Sequence, residues 1–506
     1  MNNNKSLKIL LVQPSVEDFY FTPHRSSSLG LFTLAASWGS RGHSCQVINC
    51  TMEKPLKKHI ELPSCLNYLK PYLLKQNTEM KDTSWFTKYY RFGSSYEICI
   101  GKILNFNPDV IAVSCFAWSY SESSIQLLQK LQDLRRNTTN SSFLLVTGGP
   151  GVTVMPGYFT PFADLVVTGE GEDAIVTIEK MASKSLQKIN YPLSSKILNP
   201  GYSGELPFVY NIRSRRNSRF TVSTIISRGC PKKCSFCANH LVFGRALRKV
   251  PFVILQKGMD SLIEDIKAKN NKKQQEKLKL HINFEDDNIL FYKEYFLEVL
   301  KYINEICQNN EIDFTFTTEN GMDYILLNKN ILDEFKALNI AQLNLSMASM
   351  DSEQLKSSKR SGNLTKLESI ILYSSKLNIP SITYFICGLN GDTANTIVQT
   401  INYLHSLKTS IGISNYYPVP GLDDWLNKDI FLKNPQALCR GSSSYPWNNR
   451  LSTKELITAF RLARTSNFIK LSKADKNKIE NLNNNLLKDS TMEKGMVLSF
   501  FDQLLS

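Results

Sequence analysis

No stretch of this 506-residue chain approaches the ~18 consecutive apolar residues that a membrane-spanning helix needs. The opening, MNNNKSLKILLVQP, has a short apolar run broken at Gln13-Pro14. That run is too short for the core of a secretion signal and suits a first β-strand. Paired cysteines are missing as well. Eight of the eleven (Cys45, Cys50, Cys65, Cys99, Cys115, Cys307, Cys387 and Cys439) are scattered without a repeated spacing, and the total is odd. A disulfide framework is thereby excluded, and a reducing, cytoplasmic setting is expected. Nor is the composition that of a disordered chain, with 42% apolar and 21% charged residues. A globular chain of this length exceeds one ordinary core, so two or three domains are expected.

Acid is in short supply: 45 Asp and Glu stand against 60 Lys and Arg, a net charge of +15. Such an excess suits an anionic partner such as RNA, a phosphorylated substrate or a membrane surface. Much of it lies in runs such as KAKNNKKQQEKLK (267–279), which read as solvated. The Arg-dense NIRSRRNSR (211–219) reads as an exposed linker, with contact to an anion as the alternative.

What the chain does have is rhythm. KILLVQP (8–14), CQVINC (45–50), DVIAVSCFA (109–117), FLLVTGG (143–149) and DLVVTGEGE (164–172) read as strands, separated by helical patterns such as GLFTLAASWGSRG (30–42) and SIQLLQKLQDLRR (124–136). Strands apolar on both faces imply a parallel sheet covered by helices on both sides. Residues 1–185 are therefore expected to form an α/β domain, interrupted by an insertion at 51–105, possessing aromatic and basic residues and read as helical. Residues 186–220, with Pro, Gly and Ser, read as a linker. A second alternation follows: TVSTIIS (221–227), LHINF (280–284), DFTFTT (313–318), QLNLSM (342–347), ITYFICG (382–388) and IGISNY (411–416). Six βα repeats over 221–425 imply a parallel barrel, partial or full, with its chemistry at the carboxyl ends of the strands. A helical tail is expected over 426–506.

Three cysteines follow the first of those strands in TIISRGCPKKCSFCANH: Cys230, Cys234 and Cys237. Thiolates at this spacing suit three irons of a 4Fe–4S cube and leave the fourth iron open, which is the mark of a reactive metal position. Zinc held by the three cysteines and His240 is the alternative. Unligated thiols are a third, disfavoured because Lys232 and Lys233 promote thiolates and oxidation.

The Cys-x₃-Cys-x₂-Cys loop, with Phe236 before its last cysteine, resembles the radical S-adenosylmethionine (SAM) superfamily. NFEDDNIL (283–290), LNIAQLNLSMASMDSEQLKSSKRSG (338–362), ITYFICGLNGDT (382–393) and YYPVPG (416–421) are similar to the segments at the ends of that family's second, fourth, fifth and sixth strands. The front half adds SSLGLFTLAASWGSRGHSCQVINC, PDVIAVSC, VTGGPGVTVMPG and ADLVVTGEGE, which resemble the Rossmann-like cobalamin-binding domain of one large branch. The resemblance covers residues 7 to 425. It implies a 4Fe–4S cluster on Cys230, Cys234 and Cys237, SAM on its open iron, and cobalamin in the front domain. The implied activity is radical methylation of an sp³ carbon of a small-molecule or peptide substrate, with an electron donor such as flavodoxin or ferredoxin. Cyclisation or rearrangement with the same cofactors is the alternative within the family. A non-enzymatic cobalamin- or zinc-binding regulator is the alternative outside it. A tRNA methylthiotransferase is disfavoured, since the front half has no further cluster-cysteine set.

The resemblance also assigns residues. Phe236 is expected near the adenine, and Asp286 or Asp287 at the ammonium of SAM or the substrate, with turn capping beside Asn288 as their other role. Ala348 stands where the family often has Glu, so Ser346 or Ser349 is expected to substitute. Gly388 is expected at the cofactor as well. In the front domain Gly30, Gly148, Gly149, Gly169 and Glu170 are expected to let a cofactor tail approach the backbone. None of the six histidines has Asp two positions before it, so the Asp-x-His-x-x-Gly motif that supplies an axial histidine is absent.

Overall fold

The computed structural model describes residues 6–22, 28–73, 85–86, 88–137, 143–185, 196–201, 205–270, 276–425 and 436–505. In the front half, strands β1 (Lys8–Gln13), β2 (Ser44–Asn49), β3 (Val110–Ser114), β4 (Leu144–Gly148), β5 (Leu165–Val167) and β6 (Lys196–Leu198) form one parallel sheet in the order β2-β1-β3-β4-β5-β6. Alternate residues of β1 serve opposite cores. Ile9 and Leu11 pack with Leu31 and Trp38 of α1 (Leu29–Ser40) and Ile175 and Ile178 of α3 (Ile175–Ser185). Leu10 and Val12 pack on the other face with Ile125, Leu128 and Leu131 of α2 (Ser121–Asn137). Both faces are covered, so the strand has no need of a polar side.

The stretch expected as a linker is partly structured. Its residues 196–198 form β6 at the edge of the front sheet, and β7 (Tyr210–Arg216) pairs antiparallel with β8 (Arg219–Thr224). The Arg-dense run is therefore a hairpin, and Arg213 is turned inward onto Glu319 at 3.2 Å.

The second half continues with β9 (Lys279–Phe284), β10 (Asp313–Thr317), β11 (Leu343–Ala348), β12 (Ser381–Cys387) and β13 (Ser410–Asn415). β8, β9 and β10 pair in parallel, as do β11, β12 and β13. Single parallel bridges, Phe316 to Ile340 and Met322 to Leu345, lie at the junction of the two runs. Six parallel strands thus follow one another in chain order, an arrangement that fits the expected partial barrel. Helices α4 (Phe252–Lys269), α5 (Lys293–Asn309), α6 (Lys329–Ala337), α7 (Leu364–Lys376) and α8 (Ala394–Ser406) lie between them. Phe220, Val222, Ile282, Phe314 and Phe316 join the core with these helices. Residues between them are polar. His281, for example, bonds Thr315 and Thr317 at 2.9 and 3.0 Å, which makes it a satisfied interior histidine.

The tail forms α9 (Thr453–Ser472), α10 (Lys476–Lys488) and α11 (Lys494–Leu505). Ser452 and Glu455 close a capping box at the start of α9. Phe500 and Phe501 of α11 are fully buried in the same core as the strands.

The 51–105 insertion is only partly helical. Lys57–His59 and Tyr90–Phe92 make a three-stranded antiparallel sheet with Val16–Asp18, and a helix covers Tyr96–Phe106. It docks on the segment before α9: Tyr68 donates to the carbonyl of Ser443 at 2.8 Å, and Arg440 donates to the Tyr89 hydroxyl at 2.8 Å. The insertion thus ties the front half to the far end of the chain.

Candidate active site

The cysteine loop leaves β8 through a two-residue strand, Ser227–Arg228, which pairs antiparallel with Arg248–Lys249. The chain between them is pinched at its base. Gly229 adopts a φ of 92°, and a Cβ there would lie 2.1 Å from the carbonyl oxygen of Ala246, so no other residue fits without rearrangement. Ser235 donates its backbone N–H to the Ser358 carbonyl at 3.1 Å, and Arg245 donates to the Lys232 carbonyl at 2.6 Å. These bonds hold a loop that is irregular up to the four-residue helix Asn239–Val242.

Cys230, Cys234 and Cys237 line one cavity of about 190 Å³, together with Phe236, Asn239, His240, Asp287 and Arg360. Burial raises the thiols of Cys230 and Cys237, so metal binding there would displace protons. Among the described residues, no three His, Cys, Asp or Glu side chains converge closely enough to share one ion. His240 instead has Nδ1 3.0 Å from the Cys237 carbonyl oxygen. A Cys₃His zinc site would need His240 as its fourth ligand, and Nδ1 would have to leave that carbonyl to serve, whereas a cube needs only the three thiolates, one at each of three corners. The donor set fits the cluster.

The two neighbouring aspartates separate. Asp286 is buried and accepts from the Ile226 N–H at 3.2 Å and the Ser227 hydroxyl at 2.5 Å, which fixes the exit of β8. Burial pushes its pKa up to about 7. It lines none of the three cavities described here. Asp287 lines the cysteine cavity and accepts from Gly229 N–H at 2.8 Å and Asn239 at 2.9 Å, clamping both ends of the cysteine segment. Opposite it, Arg360 approaches the Cys234 sulfur at 4.0 Å and donates to the Ser346 carbonyl at 3.0 Å. Asp323, almost fully buried, balances both Arg360 and Lys232. An arginine beside sulfur ligands offsets the negative charge of a thiolate-bound cluster. Sequence reasoning passed over Arg360 and Asp323, although Arg360 sits in the KRSG end of a segment already matched to the family.

A second cavity, about 370 Å³, opens at the carboxyl ends of β1, β3, β4 and β5 and runs down one face of the front sheet beneath α1. Leu11, Ala112, Val146 and Val167 form its floor, and Leu34 and Trp38 a wall. Gly30, Gly148, Gly149 and Gly169 line it. Gly149 has a φ of 103°, and a Cβ would lie 2.9 Å from the Cys115 carbonyl oxygen. A narrow, apolar slot bounded by bare backbone suits a flat heterocyclic tail better than a whole macrocycle, which leaves the body of such a cofactor at the mouth. No histidine is among its described lining residues; His24 lies outside the described residues. Glu170 and Glu172 border the mouth, but Glu170 is buried and engaged by Arg248, at 2.5 and 2.9 Å.

A third cavity of about 310 Å³ lies over β11, β12 and β13, lined by Glu319, Asn320, Ser346, Ala348, Tyr384 and Ser414 among others. Ala348 holds a φ of 69°. Ser349 turns aside, its hydroxyl 3.1 Å from the Asp351 N–H, and Gly388 packs against Leu456 while donating to Asp392 at 2.8 Å. Of the expected fourth-strand contacts, Ser346 alone reaches a cavity. The three chambers adjoin. Asp287 lines the slot and the cysteine cavity; Asn320, Gly321 and Ser346 line the cysteine cavity and the third.

Residues 224–404, just over a third of the chain, match the Radical SAM superfamily. A protein of this family works with a 4Fe–4S cluster and SAM. Among curated proteins it is similar to bacteriochlorophyllide d C-12(1)-methyltransferase of Chlorobaculum tepidum, 23% identical over 55% of this chain and 58% of that enzyme. It also matches the cobalamin-dependent radical SAM methyltransferase TokK of Streptomyces tokunonensis, 26% identical over 26% of this chain and 22% of that one. The chain thus spans less than two thirds of either relative. Among solved structures, the radical SAM methyltransferase TsrM of Kitasatospora setae, with cobalamin and a [4Fe–4S] cluster bound, superposes with a TM-score of 0.55 at 13% identity, over 82% of this chain and 76% of that one. The cobalamin-dependent radical enzyme OxsB superposes at 0.56 and 16% identity, over 85% and 56%. These matches establish the fold across both halves. Among the described residues, no helix is long and apolar enough to cross a membrane.

Proposed function

We propose that this protein is a cobalamin-dependent radical SAM methyltransferase acting on an sp³ carbon. The observation that carries the reading is the contact of the three chambers through Asp287 and through Asn320, Gly321 and Ser346. A cluster site alone would serve any radical SAM enzyme. A cluster site that shares a wall with an apolar slot at four parallel strand ends serves one that brings two cofactors to one substrate.

In this reading Cys230, Cys234 and Cys237 hold the cluster, Arg360 offsets its charge, and Asp287 fixes the loop that presents it. SAM and substrate share the third chamber, where Ser346 and Asn320 orient polar groups and Phe236 packs beside the cluster. The slot takes the tail of cobalamin along Leu11, Ala112 and Val146. When bound, these groups supply reductive SAM cleavage to a hydrogen-abstracting radical and a transferable methyl. The protein contributes placement and the exclusion of water. An external one-electron donor completes the system.

The test is product analysis after anaerobic reconstitution with iron, sulfide and hydroxocobalamin. Reduction in the presence of SAM is expected to yield both 5′-deoxyadenosine and S-adenosylhomocysteine, the second only when corrin is present. 5′-Deoxyadenosine without S-adenosylhomocysteine would remove methyl transfer and leave a cyclisation or rearrangement.

A further inference from the structure

Four charges, of which Glu170 and Arg228 are buried and Glu172 and Arg248 half-buried, join the two halves beside the slot. Arg248 grips Glu170 with two bonds, Nη1 to Oε2 at 2.9 Å and Nη2 to Oε1 at 2.5 Å. Arg228 lies 3.3 Å from Glu170 Oε2 and donates to Glu172 Oε1 at 2.7 Å. The Glu170 side chain is 1% exposed and that of Arg228 7%. Two acids come from the loop after β5 in the front domain. Two arginines come from the pair of two-residue strands that closes the base of the cysteine loop. Arg248 also holds the Phe243 carbonyl at 3.1 Å, and Phe243, Arg228, Glu170 and Glu172 all border the slot. Arg228 is followed directly by Gly229, whose N–H is bound by Asp287.

Charges buried to this extent contribute little net stability, because desolvation offsets their attraction; what they do well is fix one arrangement. Opposite charges are matched two to two, and the bidentate Arg–carboxylate geometry sets both distance and orientation. Among the described contacts, this is where the TGEGE loop of the front domain grips the frame of the cysteine loop.

We infer that Glu170, with Arg228 and Arg248, is a positioning clamp that registers the cysteine loop against the cobalamin slot and passes occupancy of the slot to that loop. The inference rests on the proposed function for the identity of the slot's ligand. It assigns Glu170 to the neighbouring loop rather than to the cofactor. Filling the slot presses on the wall that Glu170 and Phe243 form, and the arginines carry that constraint to residues 226–229 and 247–250.

Amide hydrogen exchange on the full chain, free of iron, tests this in two arms. The variant is E170Q with R248M, which removes one acid and one base and leaves Arg228 paired with Glu172, so the charge there stays balanced. Without corrin, amides at 226–229 and 247–250 are expected to exchange at least tenfold faster in the variant than in wild type, with the core of the front sheet unchanged. Equal rates would overturn the clamp. With hydroxocobalamin added, wild type is expected to gain at least tenfold protection both at 148–171 and at 226–229 and 247–250; the variant is expected to gain it at 148–171 alone. Protection reaching the cysteine loop in both proteins would also overturn it. If wild type retains no corrin, the proposed function fails, while the corrin-free arm still decides the clamp.

Discussion

The cysteine cavity takes much of its lining from a single short stretch, residues 230–240, and that lining is thiol, amide, imidazole, charge and the ring of Phe236. The slot in the front half takes its floor and a wall from strand ends and a helix more than a hundred residues apart in sequence, mostly aliphatic side chain and bare backbone. Glu170, Glu172, Arg228, Phe243 and Asp287 also border it. In the proposed reading one site would hold its ligand by bonds to named donors and the other by shape. Donors leave a local signature that spacing reveals, whereas shape is a property of the folded sheet and leaves only scattered glycines and small residues.

Four substitutions sharpen that contrast, taken from the largest effect downward. Cys234→Ala removes a donor, so iron is expected to fall away and SAM cleavage to drop to background, while corrin retention stays at the wild-type level. Loss of corrin together with iron would show the two sites to be one. Asp287→Asn keeps the shape but weakens the clamp on Gly229 and Asn239. Retained iron or SAM cleavage is expected to fall roughly 10- to 100-fold, the usual cost of disturbing residues that orient metal ligands. Ala112→Phe fills the floor of the slot. Corrin affinity is expected to weaken by about 1–3 kcal/mol, roughly 5- to 100-fold, measured by titration, with iron content unchanged.

The smallest effect is expected at Asp286, which fixes the exit of β8. Its folded pKa is raised to about 7 by burial, above the ordinary carboxylate value. Between about pH 4 and 7 the folded chain therefore keeps a proton that the unfolded chain has released. Stability is expected to decline as pH rises through that window and to stay reduced above it. Asp286→Asn, whose side-chain oxygen still accepts from Ile226, is expected to flatten this slope in thermal melts of the metal-free protein. An unchanged slope would place the titration elsewhere.

The sequence analysis followed the same divide. Strands β8 to β13 and the cysteine loop were legible because period-2 and period-3.6 patterns and a three-thiol spacing are local. Gly148, Gly149 and Gly169 were legible as strand-end turns and Gly30 as the start of a helix, and all four line the slot. The bond of Glu170 to Arg248 was not legible, because a carboxylate in a glycine-rich turn looks free until its partner, 78 residues away, is known. Arg213 looked like part of an exposed linker for the same reason; its partner Glu319 is 106 residues on. Asp286 and Asp287 are adjacent letters with opposite fates, since successive residues at a strand end point to different sides. The role of the insertion was not legible because what it meets, Arg440 and Ser443, lies near the other end of the chain.

The measurement that tests the account most directly is metal and corrin analysis of the full chain purified anaerobically and incubated with iron, sulfide and hydroxocobalamin. About four irons with matching acid-labile sulfide, and a corrin absorption band that survives gel filtration, are the predicted result. Iron without retained corrin would contradict the paired sites, and zinc in place of iron would contradict the reading of Cys230, Cys234 and Cys237 itself.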